Sequence, residues 1–221
     1  MEIRQIELDG HTIDYQLNVK PIKKCYLKII SGQLVINSSP AFSLSTIEQL
    51  IRDHQDVILK QLNSYIPKYQ YLNGGYVEIF DHRYQIVLRD LKQRKVAIHG
   101  DKLYVYHAQI QSTVETELKR YLYEYLEKRI KQYLVTSFDL KMPIIEIKKL
   151  KSRWGACFSR QNKVSFNLVL VHLDQELIDY VIVHELCHFI QPNHSKLFYD
   201  EIQKRLPDYK KCEKRLKEIG I

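Results

Sequence analysis

The stretch His184-Glu185-Leu186-Cys187-His188, followed five residues later by His194, decides how this chain is interpreted. On a helix, His184 and His188 lie within about 40° of each other around the axis, so both ring nitrogens can reach one ion. Glu185 is rotated by about 100° from His184, which places it to contact a water molecule at that ion. The spacing therefore predicts a metal site on a helix.

The residues after this stretch provide a third ligand. Pro192 lacks an N–H and biases Gln191 away from helical angles, so the helix should end at about Gln191. The chain can then turn and bring His194 back to the ion. Three protein ligands leave the fourth position of a catalytic zinc site open to water, whose pKa zinc lowers to about 7. Glu185 could take the proton of that water, which predicts a hydrolase.

The segment around the motif predicts a buried helix. Residues 177–190 are apolar on nearly every side, with Asp174 as a candidate N-cap and Glu176 in the positive first turn. Burying two histidines and a glutamate in such a helix is costly without partners, and a metal ion is the simplest partner. The alternative is a core helix whose histidines are satisfied by hydrogen bonds. Cys187 is expected to be a small packed residue.

Composition is that of a soluble globular protein. The chain has 221 residues, of which 45% are hydrophobic and 27% charged, enough for one sizeable domain or two small ones. The N-terminal residues lack an apolar leader, and no hydrophobic run approaches the roughly 18 residues that span a bilayer. The four widely spaced cysteines favour reduced thiols. We therefore expect a cytoplasmic protein that does not enter a membrane.

The chain is basic, with a net charge of +8 and a pI near 9.1. This charge permits contact with nucleic acid, nucleotides or acidic substrates without requiring it. The excess is spread over both halves, and the lysine-rich stretch at residues 210–217 is interpreted as a solvated helix face.

The first half predicts short strands in hairpins. Strands are expected at residues 3–8, 12–17, 25–30, 33–36, 76–80, 83–88, 95–98 and 102–106. A helix capped by Ser43 or Ser45 should run to about Ile66, and residues 67–75 form a candidate boundary. No internal repeat is evident in the sequence. Residues 1–110 are therefore expected to form a small mixed sheet with one helix.

The second half, residues 111–221, is expected to hold the metal site. Ser112 and Glu115 are spaced as a capping box for a helix to about residue 135, and strands are expected at residues 144–149 and 163–170. The strand at 163–170, just before the metal helix, is a candidate edge to which an extended peptide adds as another strand. The alternative is an ordinary buried strand, in which Asn167 would be the residue of interest.

The ordered series of motifs resembles the YgjP-like metallopeptidases, bacterial zincin-type proteins related more distantly to SprT-like proteases. The motifs that carry the resemblance are Lys151-Ser152-Arg153-Trp154-Gly155-Ala156-Cys157, Phe166-Asn167, residues 180–188, Pro192-Asn193-His194-Ser195, Phe198 and Pro207-Asp208-Tyr209. The resemblance implies an α+β fold with an N-terminal β-hairpin-rich mixed sheet part, followed by a zincin-like C-terminal half with a helix carrying HExxH.

The resemblance also implies zinc ligands at His184, His188 and His194, with Glu185 as the catalytic base. It adds weight to Arg153, a candidate to stabilise an oxyanion or hold a substrate carboxylate or phosphate. The alternative is that Arg153 stacks on Trp154 to fix the loop. Ala156 replaces a serine that is usual in the family.

Several functions remain open at this point. The leading hypothesis is a zinc-dependent metallopeptidase that acts on peptides or proteins, although three imidazoles also bind other divalent ions. The alternatives are a metal-dependent phosphohydrolase acting on nucleoside triphosphates and a protein with structural zinc that binds nucleic acid. A SprT-like protease acting on DNA-associated proteins would combine the first and third. The sequence indicates neither the substrate nor an oligomeric state.

Overall fold

A computed structural model describes residues 2–30, 32–64, 68–89 and 91–220. The strands are β1 (Glu2–Leu8), β2 (His11–Val19), β3 (Tyr26–Ile30), β4 (Gln33–Ser38), β5 (Tyr76–Ile79), β6 (His82–Leu88), β7 (Val96–His99), β8 (Lys102–Val105), β9 (Ile144–Lys148), β10 (Gly155–Phe158) and β11 (Lys163–Asn167). The helices are α1 (Leu44–Asp53), α2 (Gln55–Ser64), α3 (Ile110–Thr136), α4 (Gln175–Cys187), α5 (Lys196–Arg205) and α6 (Tyr209–Ile219). This mixture of sheets and helices confirms the α+β class.

The chain divides into two compact units. The first comprises Met1–Pro67 with Ile219–Ile221, and the second comprises Lys68–Glu218. The break between them falls at the start of the 67–75 stretch, whereas the division into 1–110 and 111–221 stays a prediction. Among the described residues, none of the helices combines the length and the apolar character needed to cross a bilayer.

The first unit contains a four-stranded sheet in the order β1-β2-β4-β3. β1 and β2 form a hairpin whose turn, Asp9-Gly10, has positive φ angles of 48° and 74°. β2 then pairs in parallel with β4, and β3 closes the other edge. The four strands expected here are therefore confirmed. Ser31, in the expected turn between β3 and β4, lies outside the described residues.

The helix expected from Ser43 to Ile66 is wrong as a single element. Ser43 does cap α1, accepting a hydrogen bond from the Thr46 N–H at 3.2 Å. The helix stops because the ring of His54 contacts the Leu50 carbonyl at 2.8 Å, the group that a continuing helix would bond to the His54 N–H. The chain restarts at once as α2, and the end expected near residue 66 lies outside the described residues.

The second unit repeats the topology of the first. Its first sheet has the order β5-β6-β8-β7, with β5–β6 and β7–β8 antiparallel and β6–β8 parallel. The registers correspond, since Tyr15 opposite Leu34 in the first sheet matches Ile86 opposite Leu103 in the second. A helix follows each sheet. The two sheets therefore share one topology, although no internal repeat is evident in the sequence.

The long helix α3 begins earlier than expected, with Gln109 as its N-cap residue. The predicted capping box is wrong, because Ser112 Oγ donates to the Gln109 carbonyl and Glu115 pairs instead with Lys149 Nζ at 2.7 Å. Tertiary pairing thus takes the carboxylate away from the helix end. One side of α3 is fully buried in the main core, through Val114, Leu118, Leu122, Leu126 and Ile130.

A three-stranded sheet in the order β10-β11-β9 precedes the metal helix. β9 and β11 were expected, but β10 lies in a segment interpreted as a loop. β11 ends at Asn167, and residues 168–172 form a 3-10 turn rather than the end of a strand. Because β11 is the middle strand and is buried, the expectation that it offers a free edge is wrong, and the alternative of a buried strand is correct.

Candidate metal centre

The metal motif lies at the end of a buried helix, as expected, but that helix ends at Cys187 rather than at about Gln191. Asp174 caps α4 by accepting a hydrogen bond from the Leu177 N–H at 3.0 Å, and Glu176 lies in the first turn. His184 lies in the last turn, and His188 is the C-cap residue. Cys187 is fully buried in the core, so its side chain packs rather than faces the site.

The three histidines of the motif meet. Their candidate ligand atoms all lie within 4.8 Å of one another, and the Nε2 atoms of His184 and His194 are 3.1 Å apart. Two nitrogens on one tetrahedral zinc ion, at bond lengths of 2.0–2.1 Å, would be about 3.3 Å apart. The Nδ1 atom of His188 is 3.3 Å from the Gln191 carbonyl, which leaves its Nε2 for an ion.

The protonation states of the histidines favour a metal ion. Burial lowers the pKa of His184 to about 3, assisted by the neighbouring rings of His188 and His194. Burial also lowers the pKa of His188. Neutral imidazoles are the form that binds metals, so His184 and His188 can bind a divalent cation without further proton loss.

Glu185 lies against the neighbouring strand β10, beside Gly155. Its side chain is 5% exposed, and its carboxyl group is hydrogen-bonded to the backbone of Cys157 on β10. Burial raises the pKa of Glu185 to about 8, against the opposing effects of the Arg153 guanidinium and the Cys157 hydrogen bond. A divalent cation nearby would favour the carboxylate form, which is the one able to accept a proton.

Gly155, on β10, allows Glu185 to take this position, although in the sequence it was only part of a family motif and had no assigned role. A Cβ atom added there would lie 2.7 Å from Glu185 Oε1 and 2.8 Å from its Cγ. Carbon atoms do not approach one another so closely, so a side chain would displace the carboxyl group. A glycine within a strand is the signal that could have revealed it, since such glycines mark close approach.

The free edge of β10 runs beside this carboxyl group. The Asn167 N–H donates to the Trp154 carbonyl at 2.8 Å, and Ala156 lies opposite Ser165. In an antiparallel pair, every second residue directs its backbone N–H and carbonyl toward the partner strand. Trp154 and Ala156 therefore face β11, whereas Gly155 and Cys157 direct their backbone groups away from it. The strand therefore presents part of its backbone at an edge next to Glu185.

Asn167 holds the loop that leads into β10. Its side chain is fully buried, with Nδ2 donating to the carbonyls of Leu150 at 2.8 Å and Arg153 at 3.1 Å. The Arg153 side chain is exposed and forms no hydrogen bond or ion pair within the described part of the chain. No cation–π contact joins it to Trp154 among those residues. The loop is thus fixed by Asn167 rather than by the stacking considered earlier.

Two histidines and a glutamate at the end of a core helix, with a third histidine beyond a turn, form the arrangement that a class of metal-dependent hydrolases uses. The model of the YgjP-like family, described as a metallopeptidase domain, matches residues 23–219. The chain belongs to this family and contains a metallopeptidase domain, which acts with a metal ion on peptide or protein substrates.

Two solved structures are also similar to part of the chain. The metallopeptidase zymogen abylysin of Pyrococcus abyssi is 21% identical, covers 41% of this chain and 90% of its own, and has a TM-score of 0.39. The metallopeptidase zymogen jannalysin of Methanocaldococcus jannaschii is 24% identical, covers 41% and 91% respectively, and has a TM-score of 0.37. No curated protein matches the chain.

Proposed function

We propose that the protein is a zinc-dependent metallopeptidase that hydrolyses peptide bonds, with His184, His188 and His194 as ligands. The observation that carries this proposal is the cluster of three imidazoles with candidate ligand atoms within 4.8 Å of one another. Zinc held there would polarise the scissile carbonyl and activate a water molecule for attack. Three imidazoles favour zinc over magnesium or calcium, which prefer oxygen ligands.

Glu185 is the proposed general base. It accepts a proton from the attacking water and passes it to the leaving amine. The Glu185 side chain is confined by Gly155 and hydrogen-bonded to the Cys157 backbone. These contacts hold the carboxyl group in one orientation. A preoriented base contributes more to catalysis than a mobile one, because less reorganisation is needed during the reaction.

The edge of β10 is the proposed binding surface for the substrate backbone. An extended peptide there could hydrogen-bond with the outward backbone groups of Gly155 and the outward carbonyl of Cys157, since Glu185 already engages the Cys157 N–H. Such main-chain bonds give affinity with little dependence on side chains. Arg153, exposed and without an ion-pair partner in the described residues, is proposed to stabilise the oxyanion or hold a substrate carboxylate.

The test compares wild-type protein with the variants His184→Ala and Glu185→Gln, using elemental analysis and an activity panel of unfolded proteins, short peptides and nucleoside triphosphates. We expect about one zinc ion per chain in the wild type and in Glu185→Gln, and much less in His184→Ala. Peptide hydrolysis should fall by roughly 10²–10⁴-fold in Glu185→Gln, because the base is lost. Chelation of the metal should abolish it reversibly.

A matched control is Glu124→Gln, which makes the same chemical change at an exposed carboxylate on α3. It should leave both zinc content and hydrolysis unchanged. Hydrolysis that persists in Glu185→Gln, or a wild-type protein that binds no metal, would contradict the proposal.

No specific observation favours the nucleotide or DNA alternatives. Several basic side chains that raised them are paired with acids, such as Lys149 with Glu115 and Lys217 with Glu213. Arg215 likewise pairs with Asp174 and Glu176 at the start of α4. The nucleoside triphosphates in the panel, and a DNA titration of protease activity, test these alternatives directly.

A further inference from the structure

The ring of Phe198 lies against all three histidines of the metal centre. Its centroid is 4.9 Å from that of His184, 4.6 Å from His188 and 4.7 Å from His194. It stacks on His188 and meets the other two edge to face, and its side chain is fully buried. The three candidate ligands thus share one apolar contact.

The position of Phe198 in the chain explains this arrangement. It lies in the first turn of α5, four residues after His194, and helix side chains lean toward the N-terminus of their helix. The ring therefore reaches back over the turn that carries His194. Because α5 packs against α4, the same ring also reaches the two histidines at the end of α4.

Hydrogen bonds alone do not orient these imidazoles. A histidine that binds a metal usually donates its second ring nitrogen to an acceptor, which fixes the ring. His188 has such a partner in the Gln191 carbonyl, but His184 Nδ1 is buried and has no hydrogen-bond partner within the described residues. The orientation of His184 must therefore come from packing, and Phe198 supplies a packing contact shared with the other two rings.

We propose that Phe198 is a positioning residue of the metal centre. Its ring holds the three imidazoles in the arrangement that one tetrahedral ion requires, and it closes the side of the cluster that it covers to water. The proposal rests on the proposed function only in that zinc must bind these three histidines. It concerns metal affinity and ligand geometry, not the hydrolytic step.

Ile202 provides a matched control. It lies one turn further along α5, away from His194, and is also fully buried in the main core. Ile202→Ala and Phe198→Leu both remove buried apolar volume from the same helix. A loss of stability that comes only from lost packing should therefore appear in both variants.

The experiment uses full-length protein freed of metal and measures three quantities with wild type, Phe198→Leu, Phe198→Ala and Ile202→Ala. These are the zinc dissociation constant by competition with a chromophoric chelator, the unfolding midpoint of the metal-free protein, and the visible spectrum of the cobalt(II) form. We expect Phe198→Leu to weaken zinc binding about 10–100-fold and to alter the cobalt spectrum. Ile202→Ala should lower the unfolding midpoint while leaving zinc affinity and the cobalt spectrum unchanged.

Equal zinc affinity in wild type and Phe198→Leu would overturn the proposal, as would an equal loss of affinity in Ile202→Ala. Phe198→Leu decides the question if Phe198→Ala does not fold. A wild-type protein that binds no zinc would instead refute the proposed function, so the two failures are distinguishable.

Discussion

At the scale of single residues, the close contact between Gly155 and Glu185 links a strand to the proposed base. Gly155→Ala adds one methyl group that would lie within 3 Å of three Glu185 atoms. We expect the carboxyl group to move by about 1 Å, and such displacements reduce activity by about a hundredfold. Zinc content should stay unchanged because the histidines are not touched. Steady-state hydrolysis of the best peptide in the panel, with elemental analysis, measures both effects.

The neighbouring residue on β10 is the control for this prediction. Ala156→Gly removes a methyl group from the next position on the strand, where the side chain points to the opposite face of the sheet. It should cost some stability and leave hydrolysis near the wild-type rate. If Gly155→Ala also hydrolyses at the wild-type rate, Glu185 does not need its observed position.

Sequence spacing predicts only part of this centre. The histidines are four and six residues apart, so helix and turn geometry alone bring them together, and they meet in the structure. Gly155 and Phe198 could not be assigned this way. Gly155 contacts a residue 30 positions later, and Phe198 acquires its contacts only when α5 packs against α4. The roles of the histidines and Glu185 stay predictions until the variants are measured.

At the scale of elements, the hairpin turn between β5 and β6 holds two non-glycine residues in the left-handed region. Phe80 and Asp81 have φ angles of 51° and 67°, whereas the equivalent turn in the first sheet is Asp9-Gly10. Such two-residue turns favour glycine, which adopts positive φ without steric cost. Asp81→Gly should therefore stabilise the protein by about 0.5 kcal/mol, after allowance for the more flexible unfolded chain. Urea unfolding measures the change.

Asp101→Gly makes the same substitution in the turn between β7 and β8, where Asp101 does not have a positive φ. There the glycine only adds freedom to the unfolded chain, so this variant should lose about 0.5–1 kcal/mol. Destabilisation by both substitutions would show that the left-handed geometry at Asp81 carries no cost.

Elements with local signals were easier to predict than those set by distant contacts. The hairpins of the first half follow from alternating apolar residues and turn residues, and they are confirmed. The break at His54 depends on one side chain competing for a carbonyl, and the capping box fails because Glu115 pairs with Lys149. β10 has only four residues, too few for a periodic pattern, and exists because it pairs with β11.

At the scale of the whole molecule, acid should weaken the second unit through Glu78. Burial raises the pKa of this carboxyl group, but the ion pair with Lys68 and the hydrogen bonds from Arg83 outweigh burial and hold the pKa below its usual value. A folded-state pKa below the unfolded-state value means that the stabilisation is present at neutral pH and lost as pH falls through the folded-state pKa. Unfolding free energies measured from neutral pH down to about pH 3 should fall less steeply in Glu78→Gln.

Glu124 again serves as the control, because its pair with Arg120 is exposed and should contribute little at any pH. Glu124→Gln should therefore reproduce the wild-type pH dependence. A Glu78→Gln protein with the wild-type acid slope would show that the Lys68 and Arg83 contacts do not depress this pKa.

The two four-stranded sheets share the same strand order, the same mixture of parallel and antiparallel pairs and corresponding registers. Tandem duplication of one coding segment produces this organisation. After such an event each copy can specialise. The later copy supplies α3, which packs on α4 and the 3-10 turn before it and so supports the helix with the candidate metal ligands. The earlier copy keeps a separate core, and its helix is divided at His54. A strand-rich module of some 60 residues is small for a stable domain, and here the second such module is extended by further strands and helices into the unit that holds the candidate metal centre.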